Sequence, residues 1–419
     1  MTCLQPAVSL FLLTSLVSFP STGQHIQYAN GRWFNGATFE SQIWYSVDGS
    51  LTKSAPAQID TVVNLDNGYV VPPFGEAHNH NVTGEDAKFT DLRNKYLKAG
   101  IFYVKNPNSL REGKEILIER KLINHPRAID AVFAVGGLTA TGGHPSLFFA
   151  SSPTRGEGNF WHTINSEREL EAKWEVIVRN NPDFIKTYLL FSEEFEARSG
   201  NKEFIGNAGL DPALLPLIVR KAHGSGYRVA THVETGHDFH VAIISGVDEI
   251  AHMPGFRGDP KLGVKMPPNF EERFSISRAD AELAAKAGVL VTTTVGDFVT
   301  IPKVLELRRK GDLLHKANLT TLKNAGVTIA LGSDAYEKNS LIELSYLRDL
   351  GVFTELELLK MLCENTPRSI FPGRKIGKLE EGYEASFIVL GKNPLIARDY
   401  SKIIHWVKEG VLLDGQLKE

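Results

Sequence analysis

The chain has 419 residues, of which 42% are hydrophobic and 23% charged, a balance that excludes a wholly disordered or fibrous protein. A formal net charge of −3 supplies no basic excess for a phosphate backbone, so no nucleic acid partner is expected. Two cysteines, Cys3 and Cys363, exclude a disulfide framework and a Cys-rich zinc site.

The first element reads as an export signal. No charged side chain precedes Arg32, and the apolar stretch Ala7–Phe19 has h-region length. Ser21-Thr22-Gly23 places small residues before Gln24, which predicts a signal peptide over residues 1–23 and an exported chain, periplasmic or secreted. The n-region lacks Lys and Arg, a departure from the usual pattern. No later apolar run is long enough to span a bilayer, so no membrane contact is expected after cleavage.

Residues 24–70 hold short β segments, Ile26-Gln27-Tyr28, Trp33-Phe34 and Thr61–Leu65. Residues 374–419 hold Ser386–Leu390 and His405–Val407. Neither flank has length enough for its own core. Together they predict one small β-sandwich domain built from both termini.

Residues 71–373 alternate strand and helix. Eight apolar runs appear: Val70–Ala77, Ile101–Lys105, Ala131–Val135, Phe184–Leu189, Arg228–Thr231, Glu249–Ala251, Val289–Thr293 and Thr328–Leu331. Helical stretches such as Ser166–Asn180 and Asp211–His223 lie between them, the first opening with Ser166 and Glu169 at capping-box spacing. Gly100, Gly226, Gly246, Gly288 and Gly326 each stand before a strand, as a helix C-cap would. The pattern predicts an α/β fold, a (β/α)8 TIM barrel, with active residues at the C-terminal strand ends. The segment Gly137–Asn165 is long for a βα loop and reads as functional.

Of 13 histidines, several fall at those strand ends. His78-Asn79-His80 spaces two imidazoles at i, i+2, on one face of a strand. Lys186 stands inside an apolar strand, where an ammonium is costly to bury. His232, His252 and Asp334 end later strands. Each alone reads as well as a core histidine or a helix-capping Asp. Five of eight strand ends carrying a metal-competent residue is a stronger signal, and points to a metal site.

The order His78-x-His80, Lys186, His232, His252, Asp334 resembles the amidohydrolase superfamily, in its binuclear pattern with a carbamylated lysine. Gly246–His252 resembles the strand-six signature of its imidazolonepropionase-like branch. Thr366-Pro367-Arg368-Ser369 and Ile376–Gly382 resemble that family's return into its small β-sandwich, although Ala385-Ser386 stands where relatives often have Ala-Asp. The resemblance implies two divalent metal ions, zinc by default with manganese, cobalt or iron as alternatives. His78, His80 and Asp334 would hold one, and His232 and His252 the other. A CO2-derived carbamate on Lys186 and a hydroxide would bridge them. Asp334 would take the proton and pass it to the leaving amine.

Tyr188, two residues after Lys186 on the same face, is a candidate oxyanion donor, and His144 in Gly142-Gly143-His144-Pro145 is a second. A strand Tyr more often packs and a loop His is more often solvated. Glu234 would line the pocket, while His237 and His240 read as the start of a polar helix. Arg155 and Arg257 lie in loops where either would meet a substrate carboxylate.

The function expected is hydrolysis of amide-type C–N bonds in small substrates, as in the prolidase-like dipeptidases and N-acyl amino acid hydrolases. The partner is then a small molecule, and relatives are often homo-oligomers. A mononuclear deaminase or cyclic amidase is the alternative within the superfamily. Such relatives place a Glu three residues after the strand-five His, where this chain has Thr235. A non-catalytic barrel scaffold is the alternative from another class, and it would lose ligands that are all present here.

Overall fold

A computed structural model describes residues 24–82, 86–110, 123–179, 181–255, 269–303 and 305–417. The expected signal peptide lies outside the described residues, as does Arg257. After Gln24 the chain forms β1 (Ile26–Phe34), β2 (Phe39–Val47), β3 (Ser50–Thr52), β4 (Thr61–Asn64) and β5 (Tyr69–Val71). The next strand, β6 (Phe74–Glu76), belongs to a different sheet. The single run expected over Val70–Ala77 is therefore two strands. Pro72-Pro73 separates them, because two successive residues without N–H groups cannot continue a hydrogen-bonded ladder.

The parallel region follows. β6 pairs with β7 (Ile101–Ser109), and β7 with β8 (Asp130–Val135). A second parallel sheet contains β9 (Gly137–Thr139), β10 (Trp161–Thr163), β11 (Ile185–Tyr188), β12 (Val229–His232), β13 (Glu249–Ala251), β14 (Leu290–Thr293) and β15 (Ile329–Leu331). Its order is β10-β9-β11-β12-β13-β14-β15. β9 and β10 lie inside the stretch expected as one long loop, so that loop is partly sheet. Every residue of β7 and of β11 to β15 is buried, which is why these strands read as continuous apolar runs rather than as alternation. Backbone bonds join the two parallel sheets at both seams. Ala77 N–H donates to the Leu331 carbonyl at 2.9 Å, and Asp183 N–H to that of Phe133 at 2.9 Å.

The intervening helices include α1 (Asp86–Lys98), α2 (Glu167–Val178), α3 (Leu215–Gly224), α4 (Gly236–Ile244), α5 (Arg278–Ala287), α6 (Glu306–Ala325) and α7 (Ser340–Leu350). Ser166 caps α2 by accepting from Glu169 N–H at 3.2 Å, while the Glu169 carboxylate reaches Asn165 N–H instead of the cap residue. Gly288 and Gly326 are the left-handed C-caps of α5 and α6, with φ of 70° and 79°. No helix among the described residues is long and apolar enough to cross a membrane.

The chain returns through β16 (Phe387–Leu390), β17 (Ile403–Lys408) and β18 (Val411–Leu412), which join the first strands in one eight-stranded sheet. β16 pairs antiparallel with β5, Val389 opposite Val70. A buried ionic cluster ties this sheet to the parallel region. Lys408, fully buried at the end of β17, donates to Asp130 Oδ1 at 2.8 Å, and Arg374 donates to Asp130 Oδ2 at 2.7 Å.

A second buried pair crosses the parallel region from β7 to β13. Lys105 donates to Glu249, which also accepts from Thr292 Oγ1 at 2.8 Å, and the Lys105 ammonium lies 4.2 Å from the Phe184 ring centroid. Burial pulls the Lys105 pKa down, and Glu249 opposes that shift. Removing one partner of such a pair strands the other charge, at a cost of about 3–5 kcal/mol. Lys105→Met is therefore expected to lower stability by that amount, and Lys105→Met/Glu249→Leu to recover most of it, in chemical denaturation. Equal losses in both variants would assign the cost to packing instead.

Candidate metal centre

The strand ends bring three imidazoles onto one carboxylate. Asp334 Oδ1 lies 3.7 Å from His78 Nε2 and 3.5 Å from His80 Nε2, and Asp334 Oδ2 lies 3.8 Å from His252 Nδ1. His78, His80 and Asp334 each offer a ligand atom within 4.8 Å of the others. Two imidazoles and a carboxylate at this spacing are a donor set that suits a borderline divalent cation. His78 is 1% exposed and the His80 side chain 30%, so one side of the set opens outward.

His232 and His252 sit beside this group, with ring centroids 4.3 Å apart, and the His78 centroid lies 4.2 Å from that of His252. His232 Nε2 contacts Glu234 Oε1 at 2.9 Å, a pairing the sequence did not announce beyond placing Glu234 near the pocket. His252 Nδ1 lies 2.7 Å from Thr294 Oγ1 at the end of β14, which fixes the ring. Lys186 is buried in β11, with its ammonium 5.5 Å from the Tyr188 ring centroid. Burial lowers the His80 pKa; Asp334 opposes this, and Lys186 and Arg155 add to it.

Both oxyanion candidates reach the His232 side. The His144 ring centroid lies 5.1 Å from those of Tyr188 and His232. Tyr188 is buried, and burial pushes its phenol well above the ordinary value, with the Asp334 charge adding to the shift. His237 and His240 fall in the first half of α4, which was expected as a polar helix but buries Phe239, Val241, Ala242 and Ile243, and His240 Nδ1 pairs with Asp280 Oδ1 at 2.6 Å. Thr235 caps α4 in a reciprocal box with Asp238, which gives that position a structural task.

Several residues of the centre were not singled out from the sequence. Asn79, between the two histidines, turns to the other face and donates to Ser333 Oγ at 2.6 Å and to the Ala335 carbonyl at 3.2 Å. Asn108, at the polar C-terminal end of β7, hydrogen-bonds His80 through its backbone and Tyr188 through its side chain. It also donates to the Phe160 carbonyl at 3.0 Å and accepts from Gly137 N–H at 3.2 Å. Its place after a buried strand was the available signal.

Glu76 lies fully buried under the histidine pair. Its Oε1 accepts from His78 N–H at 3.1 Å and Ser333 N–H at 2.9 Å. Burial pushes its carboxyl up to about 8, with Glu343 adding to the shift and the two N–H bonds opposing it. Between its ordinary 4.5 and about 8 the folded chain thus holds a proton that the unfolded chain has released. Stability falls as pH rises through that window, by up to about 1.4 kcal/mol per pH unit. In the metal-free protein Glu76→Gln is expected to remove this component, read as a shallower pH dependence of denaturation midpoints between pH 5 and 7.5. Parallel profiles for the two proteins would show that Glu76 is ionised.

Residues 137–417 match the profile of the Amidohydrolase family. Ochratoxinase of Aspergillus niger is 28% identical over 238 residues, which are 52% of this chain and 44% of that protein, so the match spans less than half of the curated relative. The solved A. niger ochratoxinase superposes with a TM-score of 0.70 at 19% identity, covering 93% of this chain and 96% of the other. A Xaa-Pro dipeptidase with bound methionine gives 0.68 at 18% identity, covering 93% and 99%. Molinate hydrolase gives 0.69 at 14%, covering 94% and 95%. At such identities these superpositions speak for a shared fold. The profile match takes in β9 to β18 and every metal-competent strand end except that of β6, and by it the chain belongs to the Amidohydrolase family.

Proposed function

We propose that the protein is an exported, metal-dependent hydrolase of amide-type C–N bonds in small substrates, dipeptides or N-acyl amino acids. In this reading the parallel strands close as a (β/α)8 barrel over residues 71–373, and residues 24–70 with 374–419 form a small β-sandwich. The backbone bonds at both seams between the parallel sheets support closure. The observation that carries the activity is the Asp334 carboxylate with the His78, His80 and His252 imidazoles 3.5–3.8 Å from it, at the C-terminal strand ends. The names of the similar proteins, an ochratoxinase and a Xaa-Pro dipeptidase, point to the same bond class.

His78, His80 and Asp334 would hold one cation in this reading, and His232 and His252 would hold a second. Lys186, buried where an ammonium is costly, would add CO2 at Nζ with loss of a proton and so supply a further anionic oxygen donor for the metals. Two divalent cations, zinc by default, would polarise the scissile carbonyl and lower the pKa of a water at the site. Asp334 takes the proton of that water on a carboxylate oxygen and delivers it to the leaving nitrogen. Tyr188 or His144 donates a hydrogen bond to the carbonyl oxygen as charge develops on it.

A single-metal deaminase or cyclic amidase is the second reading. It is favoured by the tight spacing of His78, His80 and Asp334 and by the Glu234 contact on His232. Elemental analysis of the purified mature protein separates the two: about two metals per chain support the bridged hydrolase, and one supports the alternative. Lys186→Ala is expected to lose metal and activity, with rescue by short carboxylic acids. Full metal content without them would remove the carbamate. Asp334→Asn should cut turnover about a hundred- to ten-thousand-fold, and unchanged turnover would remove Asp334 as proton carrier.

A further inference from the structure

We propose that Asp312, Tyr346 and His315 form a buried hydrogen-bonded relay that positions His252 and so sets how tightly the second cation is held. The inference rests on the two-cation reading above and deepens it. Asp312 and His315 lie one turn apart on α6, and Tyr346 lies on α7. His315 and Tyr346 are fully buried.

The direction of the relay follows from counting protons. Tyr346 donates to Asp312 Oδ1 at 2.8 Å, an oxygen that also accepts from Arg308 Nε at 2.7 Å. Burial and the Asp312 bond hold the phenol well above its ordinary value, so it keeps its proton. A phenol has one proton, and Asp312 receives it. His315 Nδ1, 2.8 Å from the same hydroxyl, is then the donor in the other bond. In a neutral imidazole that leaves Nε2 as an acceptor.

Nε2 faces the turn after β13. A Cβ on Gly255 would stand 2.6 Å from it, so the ring lies directly against the backbone there. The same Cβ would stand 3.7 Å from Val295 Cγ1, beside Thr294, whose Oγ1 lies 2.7 Å from His252 Nδ1. Three residues further along α6, Asn318 donates to the Pro254 carbonyl at 2.8 Å. His315 and Asn318 thus hold the second and third residues after His252. Arg308 ties in the turn after β14, donating to the carbonyls of Phe298 at 2.7 Å and Ile301 at 3.0 Å. The Phe298 ring centroid lies 4.7 Å from that of His315.

His252 takes a φ of +109°, a conformation that persists only where the surroundings hold it. His315 is therefore a positioning residue, acting on the cation through the turn that carries His252. His78 and Asp334 are held instead by backbone bonds across the seam between β6 and β15. Loss of the relay should accordingly weaken one cation and spare the other.

The test titrates zinc into the metal-free full chain, with bicarbonate present, against a chelator of known affinity. The unmodified protein is expected to take up two zinc ions. Tyr346→Phe removes the shared hydroxyl and keeps the ring. It should weaken the second ion by about 10–100-fold, the usual effect of losing an outer partner of a metal ligand, and leave the first unchanged. His315→Leu should do the same, and His315→Gln, whose amide both donates and accepts, should restore part of the loss. Equal weakening of both ions, or of neither, overturns the relay and leaves the hydrolase reading standing. Uptake of a single ion by the unmodified protein overturns the two-cation reading, and this inference with it. The tautomer of His315 is the second measurement, read from ring nitrogen resonances that disappear in His315→Gln. A neutral ring protonated at Nδ1 is expected. A ring protonated at Nε2, alone or as well, overturns the relay even where Tyr346→Phe fails to fold.

Discussion

The centre depends on how the first and last parallel strands meet. Ala77 N–H donates to the Leu331 carbonyl at 2.9 Å, and Asp334 N–H to the His78 carbonyl at 2.8 Å. These bonds set the His78-x-His80 pair against Asp334, which lies at the far end of the parallel region in sequence. The approach is tight. A Cβ on Gly332 would stand 2.6 Å from the Cβ of His78, so only glycine fits there. Glu76 accepts from Ser333 N–H and Asn79 donates to Ser333 Oγ, which hold the same seam. Asp334 itself takes a φ of +46° and His252 one of +109°, conformations that cost about 1–3 kcal/mol each and persist where the surroundings over-determine them.

The outer helices hold the loops that carry the site. Asn318 of α6 donates to the carbonyls of Pro254 and Phe274 and accepts from Ile276 N–H. It thereby pins both described ends of the connection after β13. Asp238 of α4 accepts from the N–H groups of Phe191, Ser192, Glu234 and Thr235 and from Ser192 Oγ. One buried carboxylate thus joins the segments that follow β11 and β12. Side chains at strand ends stay near a common point because hydrogen bonds to helices satisfy and hold their loops.

The two sheets at the chain ends and in the middle are joined by charge. Asp130 opens β8 and receives Lys408 and Arg374, and Arg374 also reaches Glu384. Such a buried cluster fixes relative position, since any shift would leave a charge unpaired at a cost of several kcal/mol. Arg155 shows a different arrangement, its guanidinium carbon 5.3 Å from the ring centroids of both Phe149 and Phe160.

Features with a local physical cause were legible in the sequence. The His78-x-His80 pair follows from a period of two, Ser166 from its cap geometry, and Gly100, Gly226, Gly246, Gly288 and Gly326 from the positive φ that all five adopt. Buried parallel strands announced themselves as apolar runs, and their polar ends named the ligand candidates. The Pro72-Pro73 break between β5 and β6 was also local and was read through, because the apolar run on both sides masked the missing donors. What only the tertiary structure decided involves partners distant in the chain: Thr294 on His252, Asn108 between His80 and Tyr188, and the protonated state favoured at Glu76. Periodicity says which face of an element a side chain occupies. Which groups share that face, and how far water is excluded from them, is set by packing across the fold.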